Sequence, residues 1–281
     1  MDQPMMIVTS LDELRSARLL LDGTVGFVPT MGYLHEGHVS LARRAREECQ
    51  HVVVSIFVNP TQFGANEDLS KYPRNLERDL HLLEAAGVEL VWTPTPEVMY
   101  PPGFGTWVEV EGLTEPLEGA ARPGHFRGVT TVVAKLFNAV QPQKAYFGQK
   151  DAQQAAVIRR MTRDLDFPIE IVVCPIVREA DGLAMSSRNS YLNPQERQSA
   201  TVLFRALSAA RSAYERGERN AETLRKIMAE TIASEPLAKM QYVSVADYDT
   251  LEELQTITGK TLLSMAVYMG KTRLIDNFVL G

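Results

Sequence analysis

The chain has 281 residues, 45% of them hydrophobic, and a formal net charge of −6 from 35 acidic and 29 basic residues. This hydrophobic content supports a full core and excludes a disordered chain, and the length suits one large α/β domain or one domain plus a smaller one. The acidic balance excludes a general affinity for nucleic acid or an acidic membrane surface, although a local basic patch could still exist.

Location and redox state follow from the N-terminus and the cysteines. The segment 1–4 lacks the basic and apolar regions of a signal peptide. No apolar run approaches membrane-spanning length. Cys49 and Cys174 form no CxxC pair and are typical of buried thiols in a reducing compartment. We therefore predict a cytoplasmic protein with no membrane and no nucleic acid as a partner.

Short β-rich runs alternate with helical patterns through the first two thirds of the chain. The predicted elements are, in order, a strand at 25–29, a helix at 39–49, strands at 52–58 and 88–92 around a helix at 76–86, a helix at 129–140, a strand at 145–147, a helix at 152–165 and a strand at 169–177. The apolar run at 52–58 is typical of a central parallel strand that is covered on both faces. This alternation predicts a Rossmann-like, doubly wound parallel sheet in an α/β fold.

The pattern changes after residue 177. Asn193, Pro194 and Glu196 indicate a helix start, and that helix is predicted to run to about residue 216. A second helix at about 221–234 and alternating strands at 242–246 and 262–268, with a possible third at 273–279, follow. We predict a Rossmann-like domain at 1–176 and a smaller C-terminal α+β domain at 177–281 that acts as a lid. The longest irregular stretches, 59–75 and 93–128, are of the kind that is usually functional.

His35 and His38 flank Gly37 just after the first predicted strand and a Gly turn. A strand that ends in a small-residue turn and opens a helix makes a phosphate site, because the helix N-terminus offers free N–H groups and a positive dipole end. The histidines are three residues apart, so they can share one face and add donors. Two alternatives stay open. They could be packing or surface histidines, or metal ligands, although no Cys, His or carboxylate pattern nearby clearly supplies a further ligand.

Lys150 lies at a predicted helix start directly after a strand, where the helix dipole disfavours a cation unless a phosphate binds there. A solvated lysine is the plain alternative. In a parallel sheet the ligand binds at the carboxyl ends of the strands, so the histidines and this lysine should share one rim. Ser186, Ser187 and Arg188 offer hydroxyls and a guanidinium that suit phosphate oxygens, although a simple polar loop has the same composition.

Three glutamines, Gln62, Gln153 and Gln154, could bind a small polar substrate through their amides, although surface glutamines are common. The long irregular stretch 93–128, which contains the run 122–128, could cover the site or form a subunit contact. Taken together, the histidine and Ser186–Arg188 motifs indicate an enzyme that attacks the α-phosphate of ATP.

Long, ordered runs of this sequence resemble one family over nearly the whole chain. The His-x-Gly-His element and the later Met-Ser loop are similar to the nucleotidylyltransferase superfamily, which includes the class I aminoacyl-tRNA synthetases. Within it, the chain resembles the pantothenate synthetases, the pantoate–β-alanine ligases, through the runs at 29–38, 59–63, 122–128, 147–154 and 178–189. One variation is Gln149, where Glu or a basic residue is frequent in the family.

The resemblance implies a ligase that joins pantoate to β-alanine with ATP and Mg²⁺, through pantoyl adenylate, and releases AMP and pyrophosphate. It also implies a homodimer, and it makes 1–176 the domain that binds the nucleotide and pantoate. Catalytic roles are implied for His35, His38 and Lys150, with His38 also a general acid, pantoate binding for Gln62 and Gln154, and β-alanine binding for Gln62. The implied ATP-binding residues are Met31, Gly32, Tyr33, Leu34, His35, Glu36, Gly37, His38, Gly148, Gln149, Lys150, Asp151, Val177, Met185, Ser186, Ser187 and Arg188.

Two rival functions remain. One is another adenylyltransferase of coenzyme biosynthesis, which would stop at a dinucleotide product, release no free AMP and have no need for the paired glutamines. The other is a non-catalytic nucleotide sensor or an RNA-linked relative of the synthetases. The acidic net charge and the absence of a basic domain of the anticodon-binding type count against the second.

Overall fold

A computed structural model describes residues 4–64 and 67–281. Residues 1–3, on which part of the signal-peptide prediction depends, and residues 65 and 66 of the predicted irregular stretch 59–75 lie outside the described residues. The chain divides into two compact units. The first comprises the described residues up to Gly148 together with Gln153–Pro175, and the second comprises Gln149–Ala152 and Ile176–Gly281. The short segment Gln149–Ala152 thus belongs with the C-terminal residues, although its position in sequence is within the predicted domain 1–176.

The first unit has a parallel sheet with helices between its strands. Its strands are β1 (Met6–Val8), β2 (Val25–Thr30), β3 (His51–Ile56), β4 (Leu90–Trp92), β5 (Lys144–Gly148) and β6 (Glu170–Cys174). Its helices are α1 (Leu11–Arg18), α2 (Glu36–Glu48), α3 (Leu76–Ala85), α4 (Pro96–Met99), α5 (Glu118–Ala121), α6 (His125–Val140) and α7 (Ala152–Asp164).

The strand order of this sheet is β1-β4-β3-β2-β5-β6, and every neighbouring pair is parallel. From β2 the chain moves to β3 on one side, and it later returns to β5 on the other side. The order therefore reverses between β2 and β5, and ligands of such sheets bind at the carboxyl ends of the strands at this point. The predicted Rossmann-like fold is confirmed, and the segments that follow β2 and β5 begin at one edge of the sheet.

Close packing fixes α2 against β2. Most residues of β2 and β3 are buried, as expected for parallel strands that are covered on both faces. Val39, Ala42 and Ala45 form the buried face of α2. At Gly26 of β2 an added Cβ would lie 3.1 Å from the Cβ of Ala45, so a larger residue there would push the helix away. The sheet thereby sets the position of the N-terminus of α2.

Several boundaries differ from the predicted ones. The sequence predicts no element before residue 25, yet β1 and α1 lie there, and α1 begins with a complete capping box of Ser10 and Glu13. The helix predicted from residue 129 begins at His125 as α6, and the stretch 93–128 contains the short helices α4 and α5. The strand predicted to reach residue 177 ends at Cys174, because Pro175 has no N–H for the ladder.

The second unit is built on an antiparallel sheet of β7 (Ala238–Asp247), β8 (Thr261–Met269) and β9 (Thr272–Leu280), in that order. Its helices are α8 (Pro194–Ser199), α9 (Val202–Glu215) and α10 (Ala221–Ala233). The prediction of a single long helix from residue 193 is wrong, because one helix ends at Ser199 and another begins at Val202. Thr201 donates its hydroxyl to the carbonyl of Gln198 at 2.9 Å, a local bond of the kind that competes with the helix. Buried apolar residues of α9, α10 and the sheet form the core of this unit.

None of the helices in the described part of the chain combines the length and apolarity that a membrane crossing needs.

Candidate active site

The turn that follows β2 has an unfavourable backbone and a buried carboxylate that holds it. Gly32 has φ +79° and Tyr33 has φ +50°. Tyr33 is therefore in the left-handed region, which is unfavourable for a residue other than glycine. Asp79 of α3, only 1% exposed, accepts the N–H groups of Tyr33 and Leu34, both at 2.7 Å. Burial raises the pKa of Asp79, while these two hydrogen bonds act to lower it. Asp79 therefore fixes the turn from which α2 begins.

His35 and His38 lie side by side at the start of α2. Nδ1 of His35, the N-cap residue, accepts the N–H of Gly37 at 3.1 Å, and Nδ1 of His38 accepts the N–H of His35 at 3.3 Å. The ring centroids are 4.1 Å apart. Because each Nδ1 accepts a hydrogen bond, the neutral form of each ring has its proton on Nε2. In that form each ring keeps an Nε2–H group as a donor.

Gly37 makes room for the ring of His35. A Cβ at this position would lie 2.9 Å from both Nδ1 and Cε1 of that ring. The spacing His-x-Gly-His is therefore required by the histidine cap itself, which is a reason that the sequence alone does not show.

The amide of Gln62 is oriented by a buried asparagine. Nδ2 of Asn59 donates to Oε1 of Gln62 and to the carbonyl of Gly128, both at 3.1 Å, while its Oδ1 accepts the Tyr100 hydroxyl at 2.8 Å. With Oε1 of Gln62 used as an acceptor, its Nε2 is the donor end, and it lies 3.1 Å from the Met31 sulfur. A thioether is a weak acceptor, so a carboxylate or hydroxyl oxygen would replace it readily. Gln62, 9% exposed, is thus set to donate to a polar or anionic group.

The main chain at Gln62 is held by the segment after α5. Arg122 forms a bidentate ion pair with Glu67, at 2.6 and 2.8 Å, and its Nη1 donates to Nε2 of His125 at 3.0 Å. His125 must then carry its proton on Nδ1, which donates to the carbonyl of Gln62 at 2.9 Å. Burial, with the charge of Arg122, lowers the pKa of His125 to about 4. His125 is therefore neutral near pH 7 and fastens the backbone of Gln62.

Gln153 has a structural role rather than the substrate-binding role that its side chain suggested. Its Oε1 accepts the N–H of Glu118 at 2.9 Å, and its Nε2 donates to the carbonyls of Leu113 and Pro116 at 2.8 and 2.9 Å. These bonds use both hydrogens of the amide on backbone carbonyls, so the interpretation of Gln153 as a substrate residue was wrong. Gln154, the next residue of α7, is half-buried.

Lys150 lies in a 3-10 helix, Gln149–Asp151, between β5 and α7. Its ammonium is 3.5 Å from the Asp151 carboxylate, and its side chain is about one fifth exposed, 21%. At Gly148 an added Cβ would meet nothing within 4 Å, so the space beside this turn is open.

The segment from Val177 to Arg188 folds back on itself. The Met185 N–H donates to the Val177 carbonyl at 3.0 Å, and Gly182 makes the turn with φ +90°. Ser186 then caps a 3-10 helix, Ser187–Tyr191, and accepts the N–H of Arg188 at 3.3 Å. The hairpin brings Val177 beside Met185, although they are eight positions apart in sequence.

The predicted site residues are thus grouped within each unit. In the first unit Met31 contacts Gln62, and the histidines lie a few residues beyond Met31. In the second unit Val177 pairs with Met185, next to Ser186. Within the ranges 4–64 and 67–281 there is no group of three or more His, Cys, Asp or Glu side chains that could hold a metal ion.

Sequence reasoning missed three residues that hold this site. Asp79 is a helical acid without any motif, so no sequence signal marks it. Asn59 and His125 are different, because both lie in runs that resemble the ligase family, at 59–63 and 122–128. Their polar side chains in otherwise irregular stretches were a signal that could have identified them.

A family model described as pantoate-β-alanine ligase matches residues 6–279. The chain belongs to the pantoate–β-alanine ligase family. It is a ligase that joins pantoate to β-alanine, as predicted.

Relatives with this function match nearly the whole chain. The pantothenate synthetase of Roseiflexus sp. (strain RS-1) is 64% identical over 276 residues, which cover 98% of this chain and 99% of that protein. The corresponding enzyme of Herpetosiphon aurantiacus is 61% identical over 277 residues, 98% of this chain and 100% of that protein.

Solved structures of the family have the same fold. The pantothenate synthetase of Thermus thermophilus has a TM-score of 0.94 and 51% identity, covering 98% of this chain and 99% of that one. The pantoate–β-alanine ligase of Francisella tularensis, solved in complex with β-γ ATP and β-alanine, has a TM-score of 0.81 and 36% identity, covering 98% of each chain.

The neutral state of His125 predicts a pH dependence of stability. Its pKa is about 4 in the folded chain against an ordinary 6.5. Between these values the unfolded chain binds more protons, so the free energy of unfolding falls as the pH drops from 6.5 towards 4, by about 3 kcal/mol in all. His125→Asn keeps a donor near the position of Nδ1 and removes the titration. We expect urea unfolding between pH 7 and pH 4.5 to show a shallower loss in this variant than in the wild type.

The control is His81→Asn on α3, where the histidine is exposed. This change should leave the pH dependence of unfolding as it is in the wild type. Identical pH profiles for the wild type and His125→Asn would mean that His125 does not stay neutral in the folded protein.

Proposed function

We propose that this ligase works in two steps, with ATP as the activating substrate. A carboxylate oxygen of pantoate attacks the α-phosphorus of ATP, the bond from that phosphorus to the bridging oxygen breaks, and pyrophosphate leaves. The β-alanine amine then attacks the acyl carbon of pantoyl adenylate, the bond to the AMP oxygen breaks, and the nitrogen loses a proton. Carboxylate is a poor acyl donor, and adenylation gives it a good leaving group. The ATP and β-alanine complex of the Francisella relative supports this choice of substrates.

The histidine pair carries the proposal. Both Nδ1 atoms accept main-chain N–H groups, so the neutral form of each ring carries its proton on Nε2, at the N-terminus of a helix that follows β2. Charge that develops on the α-phosphoryl oxygens would meet preorganised donors and a positive dipole end together. As a general acid His38 would act in its imidazolium form, which releases one proton and becomes neutral imidazole. His35 and His38 are the proposed catalytic histidines, and His38 is the proposed general acid.

Lys150 completes the proposed catalytic set as a cation for the phosphates, and Ser186, Ser187 and Arg188 are proposed to hold the outer ones. The wider ATP-binding set remains the one that the family resemblance implies, with the turn Met31–His38, the segment Gly148–Asp151, Val177 and Met185. A guanidinium forks onto phosphate oxygens, and serine hydroxyls donate to them.

Gln62 is proposed to bind pantoate and β-alanine, and Gln154 to bind pantoate. The orientation that Asn59 imposes makes Nε2 of Gln62 the donor end, and a donor suits the carboxylate and the hydroxyls of pantoate.

The donor set of the described residues does not fit a metal site built by the protein, since it offers no cluster of three ligands. We propose that Mg²⁺ arrives bound to the triphosphate, because it prefers phosphates and water to an all-protein cage. A homodimer and a cytoplasmic location remain proposals from the family resemblance and the composition.

The segment 177–281 is proposed to act as a lid. Water would hydrolyse pantoyl adenylate before β-alanine arrived, so a closing segment that brings Arg188 to the phosphates and excludes water has a chemical purpose.

One experiment separates this function from its rivals. The purified protein is given ATP, Mg²⁺ and pantoate, and pyrophosphate and AMP are measured before and after β-alanine is added. We expect pyrophosphate to form with pantoate alone, in an amount of up to one equivalent per enzyme. AMP should form only after β-alanine is added. A dinucleotide product, or no pyrophosphate at all, would contradict the proposal.

The same assay tests the histidines. His38→Ala should lower the rate of pyrophosphate release by on the order of 10²–10³, the usual cost of one preorganised donor to a developing oxyanion. His35→Ala should behave similarly. His38→Asn is the matched variant, because its oxygen can still cap the His35 N–H while the Nε2 donor is missing, and it should be as slow as His38→Ala. If His35→Ala and His38→Ala release pyrophosphate at the wild-type rate and with the wild-type dependence on ATP, the histidines are only structural.

Gln62→Ala should raise the KM for pantoate more than the KM for ATP, because the amide is proposed to pair with the small acid and losing a partner costs about 1–3 kcal/mol. Gln62→Glu should raise it further, since a carboxylate would face an anionic substrate. Initial rates at varied pantoate and varied ATP measure both. If only the ATP dependence moved, the assignment of the pantoate site would be wrong.

Lid closure should slow hydrogen exchange of the amides in 178–190 when ATP and pantoate bind together. Arg188→Ala should weaken the use of ATP and abolish this protection. The amides of α10, in the same unit, serve as the internal reference. Unchanged exchange in 178–190 with both ligands bound would contradict the lid.

A further inference from the structure

Lys150 is joined to the C-terminal sheet by a buried asparagine. Asn277 of β9 is 2% exposed. Its Nδ2 donates to the carbonyl of Gln149 at 3.0 Å and to the carbonyl of Lys150 at 2.9 Å. These bonds use both hydrogens of the amide, and both end on the backbone that carries the lysine. The strand order alone does not suggest this, since β5 leads directly into the Gln149–Asp151 helix.

Gln149 takes part in the same contact. Its Nε2 donates to Oδ1 of Asn277 at 3.1 Å, and its Oε1 accepts the Tyr248 hydroxyl at 3.3 Å. The two amides thus bind each other, and both amide hydrogens and the amide oxygen of Asn277 have partners. The segment Gln149–Ala152 accordingly belongs to the second unit.

The neighbouring residue holds the other phosphate-binding segment. Asp276 forms a bidentate ion pair with Arg178, at 2.7 and 2.9 Å, and is itself buried. Nη1 of Arg178 also donates to the carbonyl of Gly182 at 2.9 Å, inside the hairpin that leads to Ser186. Two consecutive residues of β9 therefore anchor two stretches of chain that are nearly 30 positions apart in sequence.

We propose that Asn277 is a positioning residue for Lys150. Its amide fixes the backbone that carries the lysine, and together with Asp276 it joins that backbone to the Arg178–Arg188 segment, so that Lys150 and Ser186–Arg188 act as one phosphate-binding body. This inference rests on the proposed function, in which Lys150 and the Ser186–Arg188 segment bind the phosphates of ATP. A lysine on a flexible stem delivers its charge usefully only where its main chain is held, because a small misplacement of a catalytic group lowers the rate strongly.

The test is a double-mutant cycle on pyrophosphate release at saturating ATP and pantoate. Asn277→Ala should lower this rate about tenfold and leave the KM for pantoate unchanged. In the Lys150→Ala background the same change should lower the rate less than twofold, because the group through which it acts is already missing. A merely structural role would lower the rate equally in both backgrounds, and this result would overturn the inference. Long incubations make the low rates of pyrophosphate release by these variants measurable.

Two further variants sharpen the cycle. Asn277→Asp keeps the shape and the acceptor for Gln149 but removes both donors to the carbonyls, so it should slow adenylation at least as much as alanine does. Ser264→Ala is the matched control, since Ser264 lies opposite Asn277 in the β8–β9 register and its buried hydroxyl has no hydrogen-bond partner. It should leave the rate and the pantoate KM as in the wild type. Wild-type rates in Asn277→Asp would overturn the inference.

The cycle also separates failure of the inference from failure of the proposed function. If Lys150→Ala alone leaves pyrophosphate release intact, the proposed role of the lysine is wrong and the inference falls with it. If Lys150→Ala is slow and Asn277→Ala adds its full effect, the inference alone is wrong. Thermal unfolding of each variant shows that the rates compared are those of folded protein.

Discussion

The histidine site depends on the hydrogen bonds between the buried carboxylate of Asp79 and the turn after β2. The turn between β2 and α2 holds two consecutive residues in the left-handed region, and one of them is Tyr33 rather than glycine. Such a backbone persists only where its surroundings over-determine it. Asp79 does this with hydrogen bonds to two successive N–H groups, at 2.7 Å each. Because α2 begins directly after this turn, the direction of its N-terminus and of both imidazoles is set from α3.

Buried or half-buried polar side chains hold two other segments in a similar way. Main-chain polar groups outside regular secondary structure need partners from elsewhere in the chain. His125 donates to the carbonyl of Gln62 and Asn277 to the carbonyl of Lys150, while Asn59 donates to the side-chain oxygen of Gln62. Each anchor is partly or fully buried, where a hydrogen bond is worth more and a missing partner costs more than at the surface. The protonation of these groups follows from their contacts, as the lowered pKa of His125 illustrates.

Local signals in the sequence predicted elements well where a periodic apolar pattern was bounded by residues that start or end helices and strands. The strands β2 and β3 and the helices α2, α3 and α10 agree with the prediction to within a few residues. Failures have local physical causes. Pro175 ends β6 earlier than its apolar run suggests, and at the break between α8 and α9 the Thr201 hydroxyl donates to the carbonyl of Gln198. The edge strand β1 was missed because its three residues make a pattern too short to recognise.

Residue spacing was enough to predict the alternation of strands and helices and to find the histidine, lysine and serine motifs, and the resemblance of long ordered runs gave the ligase family. These are properties of residues close together in the chain. The folded chain was needed to show that Gln153 is an anchor rather than a substrate residue, that Nε2 is the donor atom of both neutral imidazoles, and that Lys150 belongs with the C-terminal unit. Each of these depends on partners whose positions the fold sets, such as Leu113 for Gln153 and Asn277 for Lys150. A hydrogen bond between distant residues leaves no periodicity in the sequence, because its geometry exists only once both segments are folded.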